Sequence, residues 1–388
     1  MELKEGYKKT DVGVIPQDWN PQKLETVLNV KHGKSQREVI DINGKYPILA
    51  TGGVIGKTNC FLYDKPSVLI GRKGTIDNPQ YMDTPFWTID TLFYSEIFDN
   101  HDPKFLYYLF CKIKWNNLNE ASGVPSLSRK VIENIVVIIP PLPKQQAIAT
   151  ALSDIDGLIS SLTKLINKKK YIKQGAMQEL LTGKKRLDGF SAEWVEVKLS
   201  EVLKLQGGYS FKSEKFIEYG IPVIRISNLV NGKIDFKDTV CYEKLNIPPQ
   251  FRIKKEDILL AMSGATTGKI AIYDYDSYAY LNQRVGKFVI IDENKLINRY
   301  LRFILNSNLF TFHLSDILTA GAQPNISSKD IEKMIFTIPT TLAEQTAIAA
   351  LLSDMDAEIN DLEQKIDKYK NIKQGMMQEL LTGRRRLV

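Results

Sequence analysis

Residues 345–387 read QTAIAALLSDMDAEINDLEQKIDKYKNIKQGMMQELLTGRRRL, and residues 145–187 read QQAIATALSDIDGLISSLTKLINKKKYIKQGAMQELLTGKKRL. The two stretches align without a gap at an offset of 200, and about 26 of the 43 positions are identical. An internal repeat of this length indicates that one structural element occurs twice in the chain.

Each copy has the apolar spacing of a long helix. The apolar positions of the second copy are Ile348, Leu352, Met355, Ile359, Leu362, Ile366, Tyr369, Met376 and Leu380. Those of the first copy are Ile148, Leu152, Ile155, Ile159, Leu162 and Ile166, after which Lys169 and Lys173 interrupt the pattern. Steps of mostly four and three residues are typical of a coiled-coil seam. We therefore expect the two helices to pack on each other as a rigid spacer; the alternative is that each helix caps its own domain.

Glycines mark two places in each helix. Gly183 and Gly383 follow the last apolar positions, where a left-handed glycine commonly closes a helix, and a run of three basic residues follows each. A helix over residues 144–181 would be about 57 Å long. Gly175 and Gly375 lie inside the helices at a cost of about 1 kcal/mol relative to alanine. They suggest close approach of another backbone, from the sister helix or a partner subunit, or else a tolerated weak point.

Two globular segments precede the helices, at residues 1–143 and 188–343. In the first, β-like runs at 46–50, 67–71 and 135–139 flank a helix-like stretch at 104–114. These patterns predict a mixed α/β (α+β) fold.

The second segment repeats both ends of the first. Trp194 matches Trp19 at an offset of 175, and residues 324–331 match 125–132 at an offset of 199. The interiors differ, since VLIGRKGTI at 68–76 corresponds only loosely to ILLAMSGATTGKI at 258–270. The sequence thus predicts two similar scaffolds with different loops. Such an arrangement suits two domains that each recognise a different part of a two-part target.

The composition is that of an ordinary globular protein, with 43% hydrophobic and 25% charged residues. The sequence has no stretch of roughly 18 apolar residues, so no membrane span is predicted. The start, MELKEGYKKT, is too charged for a signal peptide. Three scattered cysteines and three distant histidines predict a cytoplasmic protein without disulfides or a metal site. The net charge of +7 is a weak bias toward polyanions.

Four motifs give the chain a family resemblance. They are KQG-x-MQELLTG at 173–183 and 373–383, P-x-x-x-Q-x-AI at 141–148 (with Thr341 replacing the proline in its copy), G-x-IP-x-x-W at 13–19, and G-x-P-S-L-S at 123–128. Together they resemble the specificity subunit of a type I restriction–modification system, over nearly the whole chain. Any one of the motifs alone is a weak signal.

The resemblance implies a non-catalytic subunit that recognises DNA. It implies a pseudo-two-fold arrangement with two target recognition domains (1–143 and 188–343) and two antiparallel spacer helices (144–187 and 344–388). Each domain reads half of a bipartite site in double-stranded DNA, and the helices set the gap. Two adenine methyltransferase subunits and the restriction (motor-endonuclease) subunits are the implied partners. S-adenosylmethionine, ATP and magnesium belong to those partners, and this chain has no cofactor.

Two further motifs look catalytic and are interpreted as structural. Residues 78–81 (Asn-Pro-Gln-Tyr) resemble the loop with which amino-methyltransferases hold a flipped base, but lack its second proline. Residues 264–269 resemble a phosphate-binding loop, but are one residue short, and Ile270 replaces the magnesium-binding Ser or Thr. Asp154, Asp156 and their copies Asp354 and Asp356 are attributed to the helix dipole. We therefore predict no catalytic residues and no metal ligands.

Polar loop residues are the candidates for DNA contact, because Arg, Asn and Gln can read base edges while Lys, Ser and Thr mostly hold phosphate. In the first domain they are Lys34, Ser35, Arg37, Arg72, Lys73, Ser126, Ser128, Arg129 and Lys130. In the second they are Lys212, Arg225, Asn228, Ser263, Thr266, Thr267, Lys269, Asn282, Gln283, Arg284, Asn325, Ser327 and Lys329. The matched Ser-x-Ser-x-Lys loops are the strongest candidates, although any one residue can equally be a solvated loop residue.

Two other functions remain as alternatives. One is a self-contained DNA methyltransferase or nuclease, which the imperfect motif at 78–81 disfavours. The other is a coiled-coil scaffold with two protein-binding domains, which predicts no preference for DNA.

Overall fold

The chain forms two compact units in a computed structural model that describes residues 5–319 and 325–387. The first unit comprises Met1–Lys164 and Glu363–Val388, and the second comprises Leu165–Leu362. Each unit therefore contains one globular segment, the first part of one long helix and the last part of the other. The boundaries predicted for separate spacer segments follow the sequence repeat, whereas the compact units divide both helices.

In its described residues, the first unit combines eleven strands with short helices, the start of one long helix and the end of the other. Its strands are β1 (Tyr7–Thr10), β2 (Gly13–Pro16), β3 (Asn20–Lys23), β4 (Leu28–His32), β5 (Tyr46–Ala50), β6 (Gly53–Thr58), β7 (Ser67–Gly71), β8 (Gln80–Met82), β9 (Trp87–Thr88), β10 (Leu92–Ile97) and β11 (Val136–Ile139). Its helices are α1 (Pro103–Lys112), α2 (Arg129–Glu133), the first part of α3 (Leu142–Leu180) and the last part of α8 (Leu342–Leu380). It has 3-10 turns at Leu24–Thr26 and Trp115–Leu118.

The second unit has the same kinds of element. Its strands are β12 (Trp194–Lys198), β13 (Leu203–Gly207), β14 (Ile221–Ile224), β15 (Leu229–Val230), β16 (Gly232–Ile234), β17 (Cys241–Tyr242), β18 (Arg252–Ile253), β19 (Ile258–Ala261), β20 (Ile270–Ile272), β21 (Ala279–Leu281), β22 (Val285–Ile290) and β23 (Ile335–Pro339). Its helices are the end of α3, then α4 (Leu199–Val202), α5 (Asn298–Leu305), α6 (Asn308–Thr319), α7 (Ser328–Glu332) and the start of α8 (Leu342–Leu380). Its 3-10 turns are Ser213–Lys215, Ile226–Asn228 and Pro249–Phe251.

The two units share a strand order. The main sheet of the first unit runs β4-β10-β7-β8, and that of the second begins β13-β22-β19-β20 and continues with β16 and β15. A parallel pair recurs as β5 with β9 and as β14 with β21. A two-stranded pair before each long helix recurs as β11 with β3 and as β12 with β23. The predicted duplication of an α+β scaffold is confirmed.

Two apolar cores hold the globular segments to the helices. In the first unit Phe105 and Trp115 share a core with Ile148 near the start of α3 and Leu380 at the end of α8. In the second unit the corresponding core joins Leu180 at the end of α3 to Ile348 near the start of α8. The start of one helix therefore lies beside the end of the other in each unit. The nine apolar positions predicted along α8 are all buried or half-buried, while the supercoil remains a prediction.

Ion pairs join the two helices in each unit. Lys373 Nζ lies 2.7 Å from Asp156 Oδ1 in the first unit, and Lys173 Nζ lies 2.5 Å from Asp356 Oδ1 in the second. Lys169, which interrupts the apolar pattern, lies 2.7 Å from Glu358. The helix-dipole explanation is therefore wrong for Asp156 and Asp356, and it stays a prediction for Asp154 and Asp354. Asp156 lies well beyond the first turn of α3, where the dipole has little effect, and the carboxylates instead neutralise lysines from the other helix.

Both long helices end at a leucine, three residues before a glycine that the turn requires. Gly183 has φ +68° and Gly383 has φ +70°. The backbone N–H of Lys185 donates to Glu179 O at 3.3 Å, and Arg385 donates to Glu379 in the same way. A β-carbon on Gly383 would lie 2.5 Å from Pro16 Cδ. The predicted left-handed glycines are confirmed, and each also gives room to the first residues of its domain.

One basic residue after each long helix pairs with a carboxylate. Arg186 donates to both oxygens of Glu344, at 2.5 and 2.7 Å, and the Glu344 side chain is fully buried. In the first unit Arg386 lies 3.2 Å from Asp18, which also pairs with Lys144 at 2.5 Å. Lys144 and Glu344 are equivalent positions with opposite charge. The acidic partner therefore lies on the helix in one unit and in the loop before Trp19 in the other.

Candidate nucleic-acid interface

Four segments of the first unit meet at one end of the sheet formed by β4, β10, β7 and β8. The N–H of Lys34 donates to Thr88 O, and the N–H of Arg72 donates to Thr91 O, both at 2.8 Å. The N–H of Leu127 donates to Arg72 O at 2.9 Å, which adds the segment before α2. We call residues 33–37, 72–74, 88–91 and 125–126 the first loop cluster.

The second unit repeats these bonds. The N–H of Tyr209 donates to Leu281 O at 2.7 Å, that of Met262 to Arg284 O at 3.0 Å, and that of Ile326 to Met262 O at 2.8 Å. We call residues 208–212, 262–264, 281–284 and 325 the second loop cluster. The backbone frame is thus common to both units, although the side chains on it differ.

A glycine makes the same close approach in both clusters. A β-carbon on Gly33 would lie 2.0 Å from the carbonyl oxygen of Ile89, and one on Gly208 would lie 2.1 Å from that of Asn282. Because no side chain fits at either position, the loop after β4 or β13 can pass directly against the segment before β10 or β22. The close approach brings polar residues from separate parts of the chain together.

Most of the predicted contact residues of the first domain lie in the first loop cluster. They are Lys34, Ser35, Arg37, Arg72, Lys73 and Ser126. The backbones of Lys73 and Ser126 form a β-bridge, and the Arg72 guanidinium donates to Asp90 O at 3.2 Å. Lys34, Ser35, Arg37 and Lys73 are exposed. This part of the cluster is cationic and open to a polyanion.

The second loop cluster contains a different set of side chains. Of the predicted residues it holds Lys212, Ser263, Asn282, Gln283, Arg284 and Asn325. Ser263 and Asn325 form the β-bridge that corresponds to Lys73 and Ser126. Thr266, Thr267 and Lys269 lie in the adjoining turn between β19 and β20, and Thr267 Oγ1 donates to Gly264 O at 2.6 Å. The exposed predicted residues of the second cluster are two amides, Gln283 and Asn325, and two cations, Lys212 and Arg284. Those of the first cluster are three cations and Ser35.

Two predicted residues of the second domain have structural roles. Asn228 is 1% exposed, and its amide nitrogen donates to Asp235 O at 2.9 Å and to Thr239 Oγ1 at 2.8 Å. Asn228 is therefore not available to contact DNA in this structure. Arg225 lies beside it and donates from Nη2 to Asp238 O at 3.0 Å.

The two matched loops, Ser-x-Ser-x-Lys at 126–130 and Asn-x-Ser-x-Lys at 325–329, are helix caps in part. Ser128 Oγ accepts from Val131 N at 3.3 Å at the start of α2, and Ser327 Oγ accepts from Asp330 N at 3.2 Å at the start of α7. The pattern recurs because both units must start this helix, which explains it without DNA. Arg129, Lys130 and Lys329 follow the caps on the helices, and Arg129 pairs with Glu133 at 2.6 Å. Pro324, the first residue of the second matched loop, lies outside the described residues.

Sequence reasoning missed two members of the clusters. Asp90 in the first is equivalent to Gln283 in the second, and Tyr209 is equivalent to Lys34. The Tyr209 ring lies 5.0 Å from that of Phe211 and 5.5 Å from that of Phe251. The offset of 175 that relates the domain starts could have paired Tyr209 with Lys34. The equivalence of Asp90 and Gln283 becomes visible only from the strand pairing, because insertions between β4 and β10 change the offset between the two domains.

The catalytic look-alikes lie in structural contexts. Gln80 and Tyr81 belong to strand β8, which pairs with β7, and Gln80 Nε2 donates to Ala50 O at 2.9 Å. Residues 264–269 form the turn of the β19–β20 hairpin, whereas a phosphate-binding loop leads from a strand into a helix. Neither motif has the geometry of the site it resembles.

Within 5–319 and 325–387 we find no group of three or more His, Cys, Asp or Glu side chains that could hold a metal ion. Over the same ranges no helix is both long and apolar enough to cross a bilayer. Cys60, Cys111 and Cys241 are free thiols.

The fold defines a duplicated α+β protein whose units present equivalent loop clusters with different side chains. The family model described as "Type I restriction modification DNA specificity domain" matches residues 16–172 and 191–372. The chain therefore belongs to the type I restriction–modification specificity family, and as a member it is a specificity subunit and not a catalytic one. The resemblance given by the sequence motifs is confirmed.

Several relatives agree with this assignment. The MjaVIII specificity subunit of Methanocaldococcus jannaschii is 29% identical over 99% of this chain and 97% of its own length. The EcoKI specificity subunit of Escherichia coli K12 is 29% identical over 49% of this chain and 42% of its own. The crystal structure of an S subunit from M. genitalium matches 98% of both chains with a TM-score of 0.66 at 16% identity, which shows the shared fold.

Proposed function

We propose that this chain recognises a bipartite site in double-stranded DNA, with each loop cluster reading one half. The observation that carries the proposal is the pair of equivalent clusters, because one backbone frame presents two unlike sets of side chains. A frame kept constant while its polar residues change suits two readers of different base sequences. The exposed Gln283 and Arg284 can make paired hydrogen bonds to base edges, while Lys34 and Lys73 suit phosphates.

The long helices are proposed to set the gap between the half-sites. Each has 39 residues, which corresponds to about 58 Å. The apolar face and the ion pairs of Lys173 and Lys373 hold each helix against its sister. Helix length is then the quantity that determines the spacing.

A paired deletion tests whether helix length determines the spacing. Removing residues 158–164 and 358–364 takes seven residues from each helix, which preserves the repeat of about 3.5 residues. It shortens each helix by about 10 Å, or about three base pairs of DNA. Mapping of methylated adenines should show a shorter gap between unchanged half-sites. The control exchanges the two seven-residue stretches at constant length and should leave the gap unchanged. If the deletion variant methylated half-sites with altered bases, the proposal that helix length sets the gap would be refuted.

The exposed faces of the helices support two identical partners. Between positions 157 and 167 eight residues are exposed in both copies, and all eight differ between the copies. Between 168 and 178 seven are exposed in both, and six are identical. Core packing cannot preserve exposed residues, so a shared binding partner is the simpler explanation. The six positions are Lys168, Lys170, Ile172, Gln174, Gly175 and Gln178, which we call the α3 collar; residues 368, 370, 372, 374, 375 and 378 form the α8 collar.

The two glycines at the centre of the collars fit this explanation. Apart from the adjacent residues and the backbone of its own helix turn, no atom of the described structure lies within 4 Å of a β-carbon built on Gly175 or Gly375. Close approach of the sister helix therefore does not account for them, whereas a partner helix packed on the collar would. We propose that each collar seats one adenine methyltransferase subunit. Those subunits would use S-adenosylmethionine, and restriction subunits with ATP and magnesium would join them in the cytoplasm.

A further inference from the structure

Helix α6 makes the surroundings of the two collars unequal. In the second unit α6 (Asn308–Thr319) follows α5 and lies beside the α3 collar. In the first unit the corresponding residues 113–128 contain only the 3-10 turn Trp115–Leu118. The α8 collar therefore has no helix equivalent to α6 next to it within those described residues.

A groove of about 540 Å³ lies between α6 and the α3 collar. Its lining includes Gln174, Met177 and Gln178 from α3, Leu309 and Phe312 from α6, and Ile359 from α8. Phe312 is 67% exposed. Phe310 and Leu314 on the same helix are only 1% and 6% exposed and pack α6 against the core. The helix is thus held by one face while it presents a bare aromatic ring to the groove.

Most polar side chains that line the groove are neutral amides and hydroxyls, and its charged side chains are mostly lysines. Lys184, at one edge of the groove, is exposed. The one carboxylate in the lining, Asp356, is already paired with Lys173 at 2.5 Å. The groove therefore suits a segment that has apolar side chains on one face and acidic residues beside them. Because the collar residues Gln174 and Gln178 form one wall, a partner on the α3 collar also meets the groove.

We propose that the two collars bind methyltransferase subunits with unequal affinity, and that the α6 groove gives the α3 collar the higher affinity. This inference rests on the proposed function, in which each collar binds one methyltransferase subunit. The occupant of the groove is an amphipathic, acidic helix of that subunit. The first subunit to bind takes the α3 collar, and the second takes the α8 collar with lower affinity.

The test titrates the cognate methyltransferase subunit into the full chain, by isothermal calorimetry and native mass spectrometry. Gly175→Leu blocks the α3 collar and Gly375→Leu blocks the α8 collar, and neither meets a clash within the chain. Phe312→Ala removes the exposed ring without touching the core. Gly157→Leu, at an exposed position that differs between the copies, is the control.

We expect two binding steps in the wild-type chain. Gly375→Leu should retain the tight step alone, and Gly175→Leu the weak step alone. Phe312→Ala should weaken the tight step about tenfold, the scale of one buried aromatic ring, and Gly157→Leu should change neither step. Two equal steps, or an unchanged tight step in Phe312→Ala, would overturn the inference and leave the proposed docking intact. No binding at all would refute the docking itself.

Discussion

The two loop clusters and the two collars have diverged in opposite ways. The clusters have the same backbone hydrogen bonds, such as Lys34 to Thr88 and Tyr209 to Leu281, but different side chains. The collars have the same exposed side chains, whereas the exposed positions in the middle of the helices all differ. Surfaces that must read different sequences change on a fixed frame, and surfaces that meet the same partner twice do not.

The largest difference expected between the units concerns their ion pairs. Arg186→Met leaves the buried Glu344 carboxylate without its cation, which should cost about 3–5 kcal/mol of unfolding free energy. The equivalent change in the first unit, Arg386→Met, breaks a pair with Asp18 whose side chains are 42% and 35% exposed, and should cost about 1 kcal/mol or less. Urea denaturation of both variants measures the difference. Equal losses would show that burial does not distinguish the two pairs.

A smaller effect is expected at Tyr108. Phe303 takes its place in the second unit, because Lys373 lies over the Tyr108 ring as the equivalent Lys173 lies over the Phe303 ring. The Tyr108 hydroxyl donates to Asp156 Oδ2 at 2.7 Å, and burial raises the pKa of the phenol, so it remains a donor. Tyr108→Phe gives the first unit the chemistry of the second. It should cost about 1.5 kcal/mol, the lower range for hydrogen bonds to charged groups, because Asp156 is partly exposed. An unfolding curve identical to that of the wild type would contradict this role.

The helix caps should affect stability and not recognition. Ser327→Ala and Ser128→Ala should each cost about 1 kcal/mol, with the methylated sequence unchanged. The Ser327 hydroxyl and backbone N–H hold the pKa of Asp330 below its usual range. That contribution is present at neutral pH and is lost as the pH falls through the lowered pKa. The stability gap between Ser327→Ala and the wild type should therefore narrow in acid. A changed target sequence would restore the DNA-contact interpretation of these serines.

The smallest effects are expected at the helix glycines. Gly175→Ala, Gly375→Ala and Gly157→Ala should each stabilise the chain by about 0.5–1 kcal/mol, since alanine is the better helix former and no contact is disturbed. Thermal denaturation checks the sign. A loss of stability at Gly175 would mean that the chain itself needs the glycine there, and would weaken the partner explanation for the collars.

The architecture could be predicted from sequence because the repeat is direct. The helices, the strands at 46–50 and 67–71 and the duplicated scaffold follow from periodicity and turn residues. The interface was less accessible, because loops distant in sequence meet only through strand pairing, as Lys73 meets Ser126. Repetition also misled: the paired serines recur because two helices need caps, and Asn228 is polar because it satisfies a buried backbone turn.

The central claim is that each loop cluster reads one half-site. Its most direct test is to sequence the methylated adenines produced by the assembled complex with Arg72→Ala or Gln283→Ala, alongside the wild type. We predict that Arg72→Ala relaxes the bases of one half-site, Gln283→Ala relaxes those of the other, and the gap is unchanged in both. Relaxation of the same half-site by both variants, or an unaltered motif in both, would contradict the account.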